Sequence, residues 1–217
     1  MDGTFSRDRN FVMTSLFAAI IFLMTFTPVG FIPLGPMNAT IIHVPVIIGA
    51  LLLGARTGAF LGALFGLASL IRATISPGLL SFAFSPLIPL PGTDQGSVLA
   101  LLICFGPRIL VGVVPCYVDK FLRRFLRSAA GRFLSNFAAG VAGSMTNTLL
   151  VMYLIFAVFR DSYAAALNES ASAVIGLILS VVIVHGIPEA IVAGIFTSAV
   201  CRALWAFNGG KPDSKEG

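Results

Sequence analysis

Charge is scarce in this chain. Of its 217 residues only 11% are Asp, Glu, Lys or Arg, where a soluble domain carries about a quarter. There is too little polar surface to cover a water-exposed globule, which excludes a soluble enzyme, a disordered chain and a nucleic-acid binder. A pI of 9.6 does not restore the last, because net positive charge at membrane edges is ordinary for an inner-membrane protein. Histidine is scarcer still. His43 and His185 are too few for a histidine-rich metal site, and no H-E-x-x-H run is present. Cys104, Cys116 and Cys201 lie in apolar stretches at irregular spacing and read as small buried hydrophobes. Gly209-Gly210-Lys211-Pro212 lacks the upstream glycine and the Ser/Thr of a phosphate loop, and Ser144 follows Gly143 without a G-x-S-x-G motif. The reading is a non-enzyme with no cofactor and no metal, whose energy for any active transport comes from another protein.

What is abundant is apolar: 57% of residues, with a mean hydropathy of +0.97. Several runs approach the ~20 residues that cross a hydrocarbon core of about 30 Å. Span one covers 10–26 and is read as uncleaved, since no small-x-small site follows it. A Pro/Gly-rich link, 27–36, precedes span two at 38–53 and span three at 57–71. The segment 72–96 holds Pro77, Pro86, Pro89 and Pro91 and cannot be one helix. Span four covers 98–118 and span five 133–158. Gly186 and Pro188 split the last apolar region into a short helix or re-entrant piece and span six, 187–207. The expectation is an all-α integral membrane protein with six transmembrane helices in a compact bundle. Residues 10–207 form the membrane domain, between cytoplasmic segments 1–9 and 208–217.

Charge orients it. With both termini cytoplasmic, eleven of the fourteen Lys and Arg residues fall inside, Arg72 and Arg160 fall outside, and Arg108 lies within a span. The link after span one and the proline-rich segment then face outward.

Small residues recur at helical spacing. Gly54, Gly58, Gly62 and Gly66, flanked by Ala55, Ala59 and Ala63, make one smooth face of span three; Gly186 and Gly194 belong to a similar stripe in span six. Such faces let helix backbones approach in lipid. They serve either internal packing or a partner protein. Span one carries only Ser15, Ala18 and Ala19 and is the candidate partner-facing surface.

A charge at the bilayer centre costs about 2.5–3.5 kcal/mol on insertion scales, so Arg108 in span four and Glu189 at the outer turn of span six need a reason. Either they pair with each other, or they line a polar pocket that opens outward. Asn38, His43, Asn147 and Arg72 fall at similar depth. Arginine's planar fork suits a carboxylate, and Phe82 and Phe84 of the sparsely charged outer segment suit an apolar lid.

The stretch from Thr40 through Gly54 into Gly58-Ala-Phe-Leu-Gly62 and on to Ser69 resembles the substrate-binding S components of energy-coupling factor (ECF) vitamin transporters. Ser81-Phe82-Ala83-Phe84-Ser85-Pro86, Pro107-Arg108, Asn147-Thr148 and Gly186-Ile-Pro-Glu189 fit the same picture. The resemblance is nearest to the pantothenate-type components. It implies a six-helix, multi-pass protein of a prokaryotic plasma membrane that binds a water-soluble vitamin at its outer face (pantothenate first, then folate or riboflavin). The partners it implies are a transmembrane T component and two cytoplasmic ATPases, with no nucleic acid. Two alternatives stay open: a self-sufficient carrier or channel, and an intramembrane enzyme. A carrier moves solute in reconstituted vesicles without ATP or partners, whereas an S component alone binds it or transports it poorly.

Overall fold

The computed structural model describes residues 2–27, 30–34, 37–126 and 128–207, with the backbone alone at 2–7, 31–34, 37–40 and 205. The tail 208–217, Arg127 and the side chains of Asn38 and Trp205 lie outside the described residues. The elements are α1 (Asp2–Phe26), β1 (Phe31–Leu34), β2 (Met37–Thr40), α2 (His43–Leu53), α3 (Ala55–Ile75), a 3-10 turn (Ser81–Ala83), α4 (Leu99–Val111), α5 (Val114–Arg123), α6 (Ala129–Ala166), α7 (Val174–Val181) and α8 (Ile187–Phe207). Among the described residues they make six helical rods, five of them long and apolar enough to cross a bilayer.

The sixth rod is short. Span two was expected from Asn38, but residues 37–40 are the second strand of a hairpin, paired Phe31 with Thr40 and Leu34 with Met37. The physical reason is the link's Pro/Gly content, which favours a tight turn and lets the backbone satisfy its own hydrogen bonds across two strands. Ile41 N–H closes the hairpin's base on Gly30 O at 3.0 Å. The helix left over, α2, is only 11 residues, about 16 Å at 1.5 Å per residue. It is apolar on every side and sits at the bundle's centre, with His43 to Ala50 all buried. Around it pack Phe17 and Ile21 of α1, Leu61 and Phe65 of α3, and Val111 of α4.

The α3–α4 seam is a contact of backbones. A Cβ at Gly58 would run into the carbonyl of Gly112, one at Gly112 into the carbonyl of Gly58, and one at Gly62 into the carbonyl of Arg108. At Gly66 it would come within 2.8 Å of the Phe105 ring, while Cys104 Sγ donates to Gly66 O at 3.2 Å. Gly54 differs from the reading of the stripe. A Cβ there would meet open space, and its φ of +91° makes it the corner between α2 and α3, a conformation that favours glycine. The α6–α8 seam is also tight: added Cβ atoms would lie 2.7 Å from Ala193 O at Gly140, 2.8 Å from the Phe137 ring at Gly194 and 2.9 Å from Thr148 Cγ2 at Gly186.

Several boundaries move. Span three extends to Ala55–Ile75 and takes Arg72 into its last turn. Span four breaks at Gly112–Val113, ahead of Pro115, which starts α5 where a missing N–H is harmless. Span five runs on to Ala166, 38 residues with a non-helical step at Phe159; at about 57 Å it exceeds the membrane and rises beyond it. The last apolar region divides into the short helix α7 and α8 at Ile187–Phe207, the bounds expected for span six, but the two stay joined as one rod. A π turn, Val182–Gly186, joins α7 to α8, and 174–204 is one apolar run. The wider turn absorbs the proline, and Glu189 therefore lies mid-run instead of at an outer end.

The seam yields a paired prediction. Gly62→Leu is expected to lower the melting midpoint and the yield of purified protein, because the side chain meets a backbone carbonyl that cannot swing away; overpacking costs about 1–3 kcal/mol. Gly106→Ala, where a Cβ meets nothing nearer than 4.0 Å, is expected to keep or raise the midpoint, helix propensity gaining up to about 1 kcal/mol. Equal behaviour of the two variants would refute the close contact.

Candidate functional site

Pro107 sits inside α4. It has no N–H to give the carbonyl four residues back, which belongs to Ile103. Arg108 supplies the missing donor: its guanidinium folds back along the helix and gives an N–H to Ile103 O at 2.8 Å. The head group then lies 5.7 Å from the centre of the Phe65 ring and 4.8 Å from that of Phe84. Arg108 is only 7% exposed, and its Nε has no hydrogen-bond partner among the described residues. Among the described residues its contacts are with a carbonyl and two rings, and no ion pair joins it to Glu189, which is half-buried.

Other buried polar atoms lack partners at a matching height. Among the described residues, both ring nitrogens of His43 (1% exposed, at the start of α2), Asn147 Oδ1 and Ser144 Oγ on α6 have no hydrogen-bond partner. The helix register places them. An added Cβ at Gly143 would touch Ile47, and α2 and α6 run antiparallel, so one turn further out on each brings His43 level with Asn147. Ala50, Gly58 and Gly112 meet at one lower level. Two turns above it is His43, and there too arrives the Arg108 side chain after climbing to Ile103. Glu189 is one turn inward of Gly186, which abuts Thr148, and so stands near the height of Ser144.

The proline-rich segment after α3 covers the group at the end of the bundle where α2 begins, with Phe84 over Arg108. Phe82 is 2% exposed and meets Phe159 edge-on at 5.9 Å. It belongs to a second core with Ile103, Ile155, Tyr163 and Val174. Phe82 therefore packs against the outward extension of α6, while Phe84 is the ring that covers Arg108. Thr74 and Ser85 hydroxyls share a hydrogen bond of 2.8 Å, and Gly78 N–H donates to Ser81 Oγ at 2.8 Å. Arg72 donates to the carbonyl of Thr25 at the C-terminal turn of α1, a favourable place for a cation. Ser144 is a residue of this group that the sequence does not single out as a binding candidate; its place beside Gly143 and four residues after Gly140, in an apolar run, is the available signal.

The chain matches the family described as "ECF transporter, substrate-specific component" over residues 9–201. It belongs to that family. It is 41% identical over 169 residues to the pantothenic acid transporter PanT of Lactococcus lactis subsp. cremoris, covering 78% of this chain and 79% of that protein. It is 31% identical over 210 residues to the pantothenate transporter PanT of Leuconostoc mesenteroides subsp. mesenteroides, covering 92% and 93% respectively. An S component for vitamin uptake, multi-pass in the cell membrane, follows from the family and the apolar helices. The T component and ATPases come with the family.

The packing of Phe82 is open to test. Phe82→Ala is expected to cost about 3 kcal/mol, the low end for truncating a buried aromatic, read as a lower melting midpoint. Leu79→Ala, at a side chain 63% exposed, should shift it little. A wild-type midpoint for Phe82→Ala would mean that the outer segment is not seated on α6.

Proposed function

We propose that this S component captures pantothenate at the outer face of the cell membrane and that Arg108 holds its carboxylate. The observation that carries the reading is a buried guanidinium with an unpaired Nε, level with unpaired His43 and Asn147, in a chain whose two relatives bear pantothenate transporter names. The guanidinium fork matches a carboxylate. His43 and Asn147 meet the amide and hydroxyls, a buried polar atom gaining most from a ligand that completes it, and Glu189 stands near them in height. Phe84 covers the arginine and Phe82 anchors the cover. Asn38, on the hairpin, joins the outer rim, and Arg72 steadies the rim through α1.

Orientation rests on the cation bias, which puts both termini in the cytoplasm. The partners are a transmembrane T component and two ATPase subunits. On α1, Ser15 and Ala19 face away from the bundle and Ala18 turns into it, which supports the first pair as the partner-facing strip.

The test is equilibrium binding of radiolabelled pantothenate to purified protein, alongside melting with pantothenate, folate and riboflavin. Pantothenate is expected to raise the midpoint by mass action. Arg108→Ala should weaken it at least about tenfold, equivalent to 1.4 kcal/mol. The alcohol analogue that lacks the carboxylate should bind wild type weakly and lose little more in the variant, since the two changes remove one interaction. Unchanged affinity in folded Arg108→Ala would take Arg108 out of the site, and a shift with folate or riboflavin alone would replace the ligand.

A further inference from the structure

We propose that the inner end of the bundle holds a binding site for an anionic phospholipid of the cytoplasmic leaflet. A cavity of about 700 Å³ opens where the start of α1, the ends of α2 and α5, the start of α6 and the end of α8 come together. Its charged lining is cationic: Arg9, Arg123, Arg132 and Arg202, each from a different helix, beside Asn10 and Asn136, with no carboxylate among the described lining residues. The rest is mainly apolar, with Met13, Leu51, Leu53, Phe133 and Leu204. Guanidinium groups beside apolar walls at the edge of a membrane domain fit an amphiphile with an anionic head and hydrocarbon tails. A polar solute would leave those walls without a partner.

Part of the site is built in advance. Arg123 Nε donates to Asp119 at 2.7 Å, and a terminal N–H of Arg123 donates to Asn136 Oδ1 at 3.3 Å. Asp119 is itself fixed by Ser135 Oγ, which donates to it at 2.6 Å. Asn136 and Asp119 are buried, while Arg123 is 41% exposed. With five N–H donors on a planar fork, Arg123 keeps donors free to meet phosphate oxygens. Arg9 and Arg202 are exposed and make no ion pair among the described residues. The cavity sits at the opposite end of α2 from His43 and so is separate from the proposed vitamin site.

The experiment uses the full chain in mild detergent. Dioleoyl phosphatidylglycerol, dioleoyl phosphatidylcholine and inorganic phosphate are titrated in turn, with lipid retention read by native mass spectrometry and stability by melting. Phosphatidylglycerol is expected to be retained and to raise the midpoint, and the other two are not. Arg9→Gln with Arg202→Gln should weaken phosphatidylglycerol on the order of tenfold. Ala130→Trp, which fills the cavity mouth and keeps every arginine, should weaken it too. Pantothenate shifts in both variants should match wild type, so failure here is distinguishable from failure of the vitamin reading. Equal retention of the two lipids overturns the proposal. An equal shift with inorganic phosphate makes the site one for a soluble anion and also overturns it. Loss in the arginine variant without loss in Ala130→Trp is diffuse surface attraction and has the same consequence.

Discussion

The contact between the backbones of α3 and α4 is the constraint on which the rest of this protein depends. Lipid tails are as apolar as leucine, so nothing squeezes two helices together in a bilayer as water does; close packing has to do it. Gly58, Gly62 and Gly112 remove the Cβ atoms that would hold the helices apart. With α3 against the carbonyl of Arg108, the arginine's side chain has one way to go, outward along its own helix. Pro107 makes that direction favourable by leaving Ile103 O without its helical donor. A charge that would be expensive in hydrocarbon is thus held by a carbonyl and two aromatic faces.

The bundle has two cores, one around the buried α2 and one around the outward extension of α6. The unpaired polar atoms of His43 and Asn147 and the Arg108 head group fall at the level between them. The first core is made of regular helices in close contact. The second includes a segment whose backbone bonds are mostly single turns, such as Phe84 N–H to Ser81 O and Thr93 N–H to Leu90 O. Local opening draws on regions with few regular hydrogen bonds, so the outer segment is the part of the molecule that can move while the rods stay put.

Much of this was legible in the sequence. The number of rods, the seam glycines after Gly54 and the irregularity of the proline-rich segment beyond Ile75 follow from periodicity and proline content, because in lipid those rules have few competitors. Element boundaries were less legible, for stated reasons. Hydropathy stops at Arg160 and Asp161, yet α6 continues to Ala166, where Phe159, Tyr163 and Ala164 pack into the second core. The π turn before Pro188 leaves no mark in composition. At the candidate site, Arg108 and Asn147 stood out as polar residues in apolar runs. The link between Pro107 and the Arg108 bond to Ile103 is not legible in the sequence, since it depends on which way a side chain turns. The inner cavity was invisible to sequence reading, because its arginines come from four helices and each alone reads as an ordinary cytoplasmic-edge charge.

On the proposed reading, ligand entry is an exchange of partners at Arg108. Phe84 covers the guanidinium, and a desolvated cation–π contact is worth about 2 kcal/mol. A carboxylate in a bidentate pair offers more than a ring face and also engages the unpaired Nε. The ring is therefore a placeholder strong enough to keep the empty arginine dry and weak enough to be displaced. The Phe82–Phe159 contact one step away need not break for that exchange, because Phe82 is buried in that core whereas Phe84 is only half-buried against its edge. A segment hinged in this way closes again over the ligand with its anchor intact, which suits a subunit that holds its cargo until the ATP-driven partners act.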